Sequence, residues 1–164
     1  MRTVATFPKL RRTFITVMKA YTIFLWMCSA VSIVITGVNT VNGQLAPAII
    51  YLTSWAFFTT SALMYSDLKG ELEKMRFTAY WRFFSRYSPP LGGYAMLHVL
   101  TGLIFITADV LRGGYAFLAV MLILKGIFEH ALQGFVDNLK AVSFLYSEVL
   151  NGELDRLALK DPFK

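Results

Sequence analysis

The chain has 164 residues, of which 56% are hydrophobic and only 16% charged, with a formal net charge of +6 and a mean hydropathy of +0.55. A typical soluble domain carries roughly 25% charged residues, and a globule this small leaves much of its chain in water. The composition therefore excludes a disordered tail and an ordinary soluble domain, and it points to an all-α, polytopic membrane protein.

Positions 1–19 form a basic segment with Arg2, Lys9, Arg11, Arg12 and Lys19 and no acid. It does not read as a cleaved secretory signal, because the apolar stretch that follows is as long as a span and no small-residue cleavage site closes it. Its lack of acids, with Arg, Lys and Thr, loosely resembles a mitochondrial presequence. The plainer reading is a flank that obeys the charge rule for membrane proteins.

After Lys19 the next charged residue is Asp67, so 47 consecutive positions carry no charge. One span needs about 20 apolar residues, so positions 20–66 hold two spans and a tight turn. The first runs from about Ala20 to Val41 and the second from about Leu45 to Ser66. Asn39, Asn42, Gly43 and Gln44 mark the turn, and Pro47 falls in a first helical turn, where its missing N–H breaks no bond.

Positions 67–90 open with a charged cluster, Asp67 to Arg76. An aromatic run follows in which Phe77, Tyr80, Trp81 and Phe84 share one helical face, with Arg82 and Arg86 opposite. That pattern predicts an amphipathic helix lying in the membrane interface, with Trp81, Arg82 and Arg86 at headgroup level. Basic residues interleaved with aromatics can also bind RNA, but next to a span they suit anionic headgroups, so no nucleic-acid partner is expected. Ser88, Pro89 and Pro90 redirect the chain.

Positions 91–136 hold the second pair of spans, from about Leu91 to Val110 and from near Tyr115 to Val136, joined at Arg112-Gly113-Gly114. Positions 137–164 read as a helical extension ending near Asn151-Gly152 and a polar tail. Of the 16 basic residues, 15 fall on the side of the termini and the middle segment and one, Arg112, on the other. The excess of Lys and Arg places both termini in the cytosol, or on the matrix or stromal side of an organelle.

No catalytic spacing, metal-ligand cluster, phosphate loop or Cys pair is evident, so no enzyme activity, metal or cofactor is expected. Cys28 lies alone inside the first span. Ionisable groups at membrane depth are functional candidates by default; here they are His98, Lys125, Glu129 and His130, with Asp109 near an outer end. Lys125 and Glu129 are four apart and can neutralise each other, either as an intrahelical pair snorkelling to the interface or as part of a proton or ion path. Against a path, the first two spans are counted as supplying only Ser, Thr and one Cys. His98 and His130 fall in the same leaflet on adjacent helices. They are read as hydrogen-bonded side chains, with bis-histidine haem ligation as the less favoured alternative.

Small residues mark close helix approach. Gly126, His130 and Gly134 are spaced by four on the last span, and His98, Thr101, Gly102, Phe105 and Asp109 share a face of the third. This predicts a seam between spans three and four, with a dimer or partner surface as the alternative. In the tail, Tyr146-Ser147-Glu148-Val149 and Asp161-Pro162-Phe163 fit short sorting patterns that arise often by chance.

The segment Tyr80-Trp81-Arg82-Phe83-Phe84, followed by Gly92-Gly93-Tyr94 and Thr101-Gly102-Leu103-Ile104, resembles the middle of the COPI-associated membrane proteins. The four-span plan is similar over about Met18 to Phe135. Two departures stand out: Leu91-Gly92-Gly93 lacks the Arg usual at that entry, and Asp67 stands where an acidic residue, usually Glu, ends the second span. The resemblance implies a non-enzymatic Golgi or endosomal protein of vesicle traffic, with membrane lipids and coat or adaptor proteins as partners. The alternative is an accessory structural subunit of a respiratory, ATP-synthesising or photosynthetic complex in an organellar membrane, its partners the other membrane subunits. A small transporter is a third reading.

Overall fold

The computed structural model describes the backbone of residues 2–75, 79–87 and 89–158, with side chains for all of these except 2–8, 81, 85–87, 89–93, 112 and 153–158. Among the described residues there is no strand. Five helices follow in order: α1 (Arg2–Val41), α2 (Leu45–Lys74), α3 (Tyr80–Tyr87), α4 (Pro89–Arg112) and α5 (Ala116–Ala158). Four of them, all but α3, are long and apolar enough to cross a membrane, which is compatible with an integral multi-pass protein. The basic segment predicted to precede the first span is helical from Arg2 and continuous with it.

The helices are built on a spacing of three and four. On α1 the buried residues include the series Phe14, Met18, Tyr21, Leu25, Cys28 and Ser32. On α5 the series Leu118, Leu122, Lys125, Glu129, Leu132, Val136, Leu139 and Ser143 continues it over almost the whole helix. A strict three-four alternation keeps one seam facing a neighbour while helices wrap left-handedly. The opposite faces carry exposed Ile, Leu, Val and Met, among them Met27, Val34, Ile49, Ile104 and Ile127.

Two glycine turns set the connections. At the end of α1, Gln44 N–H donates to Asn39 O (2.8 Å) and Gly43 N–H to Thr40 O (3.1 Å). This pair of bonds closes a helix through a left-handed residue, here Gly43 with φ +73°, a conformation that side chains resist. At the end of α4, Gly113 and Gly114 have φ of +69° and +91°. Asp109 spans that turn: its Oδ1 accepts from Tyr115 N–H (2.7 Å) and Ala116 N–H (3.0 Å). The predicted intramembrane acid at 109 thus caps the start of α5, where a carboxylate meets unpaired N–H groups and the positive end of the helix dipole. Gly152 is not a positive-φ glycine, and α5 runs past the predicted stop at Asn151-Gly152.

Each pair joined by a short turn packs together, α1 with α2 and α4 with α5. The pairs meet mainly through α1 and α5, and α3 packs on α5 and α4. Between the first two helices Ser29 and Thr59 hydroxyls share a 2.7 Å bond. Tyr51 OH donates to Gly114 O (3.0 Å), fastening the second turn to α2.

The expected aromatic face of α3 takes a different form. Phe77 and the side chains of Trp81 and Arg86 lie outside the described residues. Among those described, Tyr80, Phe83 and Phe84 are buried and Arg82 is exposed. The aromatics turn inward on the protein itself: Phe84 meets Phe14 of α1 edge to face at 5.8 Å. Tyr80 OH donates to Leu72 O (2.5 Å) and accepts from Arg11 Nε (2.9 Å), while Arg11 also donates to Glu73 O (3.1 Å). Burial holds the Tyr80 hydroxyl above its ordinary pKa, with the Arg11 charge pulling the other way.

A buried ion pair between four helices as the candidate functional site

Lys125 and Glu129 are 2% and 3% exposed. Four apart on α5, they are adjacent on one face and form an ion pair through Nζ and Oε1. A lone charge out of water costs several kcal/mol, on the order of that energy per ion even after relaxation, so the remaining capacity of the carboxylate must be met. Tyr21 of α1 donates its hydroxyl to Oε1 at 3.0 Å and Tyr65 of α2 does so at 3.5 Å. On the other oxygen, Oε2, sits His98 Nδ1 of α4 at 2.6 Å. One carboxylate therefore gathers a partner from each of α1, α2 and α4 as well as its own helix.

His98 also reaches Lys125, whose Nζ lies 3.3 Å from Nδ1 and 3.5 Å from Nε2, so the imidazole touches both ends of the pair. Phe57 closes it from α2, with Lys125 Nζ 4.9 Å from its ring centre and the His98 ring at 5.4 Å, a cation–π arrangement. Tyr21 and Tyr65 meet edge to face at 4.8 Å.

The cluster lies toward the end of the bundle away from the two turns. At about 1.5 Å per residue, Glu129 is about 20 Å from the start of α5, His98 about 21 Å from the end of α4, and Tyr21 about 30 Å from the end of α1. It forms the floor of a cleft of about 630 Å³. Apolar walls come from Phe57, Met64, Leu68 and Phe83, and Asp67 and Glu71 stand at the outer end.

Of the residues singled out in the sequence, the structure joins Lys125, Glu129 and His98. His130 is exposed on α5, turned away from His98, because adjacent helical positions differ by about 100°. The two histidines do not meet as a ligand pair. Gly102 and Gly126 do lie in the α4–α5 seam. A Cβ on Gly102 would stand 2.6 Å from Ile123 Cγ1 and 2.9 Å from Ala119 O, and one on Gly126 would stand 2.6 Å from Ala95 O. Gly134 has nothing within 4 Å of such an atom, since the seam ends with the first turns of α4. Arg82 is exposed on α3. Tyr146 is helical, and Asp161, Pro162 and Phe163 lie outside the described residues.

Sequence reasoning overlooked Tyr21, Tyr65 and Phe57. Counted as part of the apolar surface, the two tyrosines sit at buried positions of the three-four seam with a polar tip at the far end of each ring. A buried tyrosine usually finds a hydrogen-bond partner, and that was the available signal. Among the described residues no group of three or more His, Cys, Asp or Glu is placed to hold a metal ion. No known family model, characterised protein or solved structure matches this chain.

Proposed function

We propose that the chain is a non-catalytic, four-span integral membrane protein that works through protein and lipid interactions. The observation that carries this reading is the inversion of its surface. Ile23, Met27, Val34, Ile49, Ile104 and Ile127 are exposed while Lys125 and Glu129 are sealed inside. A lipid environment accepts the first set and forbids the second from its surface. In this reading α1–α2 and α4–α5 are two transmembrane hairpins, α3 lies at the interface, and the basic flanks keep both termini and the middle segment cytosolic. The resemblance over Tyr80–Phe84, Gly92–Tyr94 and Thr101–Ile104 supports a place in Golgi or endosomal vesicle traffic, with coat or adaptor proteins as partners.

The second reading, an accessory structural subunit of a large organellar membrane complex, draws on the far end of α5. Phe144, Leu145 and Val149, past the span end predicted at Val136, are 45%, 60% and 58% exposed, and a permanent neighbouring subunit would cover them. Purification of the native protein in lipid nanodiscs, with identification of what accompanies it and localisation of a tagged copy, separates the two. Coat or adaptor proteins with Golgi localisation support the first reading. Co-purification with an oxidoreductase or ATP synthase overturns it in favour of the second, and recovery in the soluble fraction overturns both.

A further inference from the structure

We infer that the cleft between α2 and the α4–α5 pair is a binding site for one cationic amphiphile, a long-chain primary amine in its protonated form. This deepens the proposed lipid interaction and rests on the four-span reading. The cleft exists because α2 packs chiefly on α1, so that only side chains such as Phe57 and Tyr65 reach across toward α4 and α5. Its volume of about 630 Å³ falls within the range of about 300–1,000 Å³ typical of sites for one small ligand. Phe57 and Glu71, both in its wall, are 14 positions apart on α2. Along α2 the lining is therefore about 21 Å long, at about 1.5 Å per residue, with Phe57, Met64 and Leu68 as its apolar wall, a length that suits one alkyl chain.

The head is fixed by charge. Lys125 spends its charge on Glu129, and His98 is bonded to the other oxygen of the same carboxylate. Both basic side chains of the floor are thus engaged by Glu129, which leaves no free positive group there for an anionic head. Asp67 and Glu71 are different: four apart on the same face of α2, both exposed, they form no ion pair among the described residues. Like charges at that spacing repel, and a cation seated between them relieves the repulsion. Glu71 is about 39 Å along α2 from its start, beyond a hydrocarbon core of about 30 Å, so an ammonium there stays at headgroup level while its chain runs inward to Phe57.

The test uses the full chain in phosphatidylcholine nanodiscs, with four-span insertion checked by protease protection. Radiolabelled dodecylamine is partitioned between these and empty discs, with dodecanol and dodecyl phosphate as competitors. The expected result is saturable excess binding of one amine per chain, weak competition by the alcohol and none by the phosphate. D67N/E71Q, which alters only exposed side chains, should lower the affinity at least tenfold, and Ser61→Trp, which fills the cleft, should abolish it. Equal competition by all three head groups, preference for the phosphate, or unchanged binding by D67N/E71Q overturns the proposal alone. Failure to insert as four spans overturns the membrane reading and this proposal with it.

Discussion

Tyr21 and Glu129 stand 108 positions apart in the chain and meet through a 3.0 Å hydrogen bond in the interior. The bond ties α1 to α5, and with them the α1–α2 pair to the α4–α5 pair. Tyr21→Phe deletes the donor and keeps the ring. Interhelical hydrogen bonds within membranes contribute about 1 kcal/mol, and a loss of that order is expected when the protein is unfolded by titration with dodecyl sulfate in mixed micelles. An unchanged midpoint would show that Lys125, His98 and Tyr65 hold the carboxylate without it.

The ion pair itself follows a steeper rule. Glu129→Gln leaves Lys125 buried without a counter-charge, and breaking one side of a buried pair costs about 3–5 kcal/mol. Lys125→Met together with Glu129→Gln removes both charges, and most of that loss should return. A double-mutant cycle on the same unfolding assay reads the difference. Equal stability of the single and double variants would mean that Lys125 reaches water and is not held inside.

The small-residue seam gives a contrast within one helix. Gly126→Leu drives a side chain into the carbonyl of Ala95, and overpacking of this kind costs about 1–3 kcal/mol. Gly134→Ala meets open space, so it should leave stability unchanged or raise it by up to about 1 kcal/mol through helix propensity. Thermal melting of the two variants in detergent checks the pair; equal loss in both would place Gly134 against a neighbour.

Tyr80 gives a pH-dependent prediction. Its hydroxyl is raised above the ordinary value of 10.0, chiefly by burial and less the Arg11 charge that opposes it. The folded state therefore favours the protonated phenol. Its contribution is complete below the ordinary value and is lost as pH rises through the raised one. Hydrogen exchange of α3 should accelerate in that alkaline range, and in Tyr80→Phe the alkaline step attributable to α3 should vanish. Because the donation to Leu72 O is also lost, the variant should be weaker by about 1 kcal/mol at neutral pH. An alkaline step that persists in Tyr80→Phe would assign the titration to another group.

Asp109 supplies a fifth prediction. Asp109→Ala removes two bonds to the start of α5 and should cost about 1–2 kcal/mol, whereas Asp109→Asn keeps an acceptor oxygen and should lose less. Melting of the two variants decides between capping and a role in ion passage, since a cap tolerates the neutral amide.

Much of this was legible before any coordinates. The uncharged run from 20 to 66 and the glycine turns at 43 and 113–114 follow from hydropathy and backbone sterics, which are local properties. The pairing of Lys125 with Glu129 follows from a four-residue spacing. The rest of the cluster did not, because contacts such as Tyr21 to Glu129 depend on the register between helices that sequence spacing alone leaves open. His130 shows the same limit from the other side: depth is readable along a helix, but rotation about its axis is set by packing. Tyr80 and Phe84 share the face read as interfacial, since nothing local distinguishes a face that meets headgroups from one that meets Phe14.

The spacing of the charged pair also bears on how such a chain is made. Lys125 and Glu129 belong to one helical turn, so they neutralise each other as soon as α5 forms, before any other helix is beside it. A segment carrying that pair leaves the ribosome as an electrically balanced rod and enters the bilayer more easily than one with either charge alone. Tyr21, Tyr65 and His98 reach the same carboxylate from α1, α2 and α4, so the contacts that need other helices are separate from the one that α5 makes within itself.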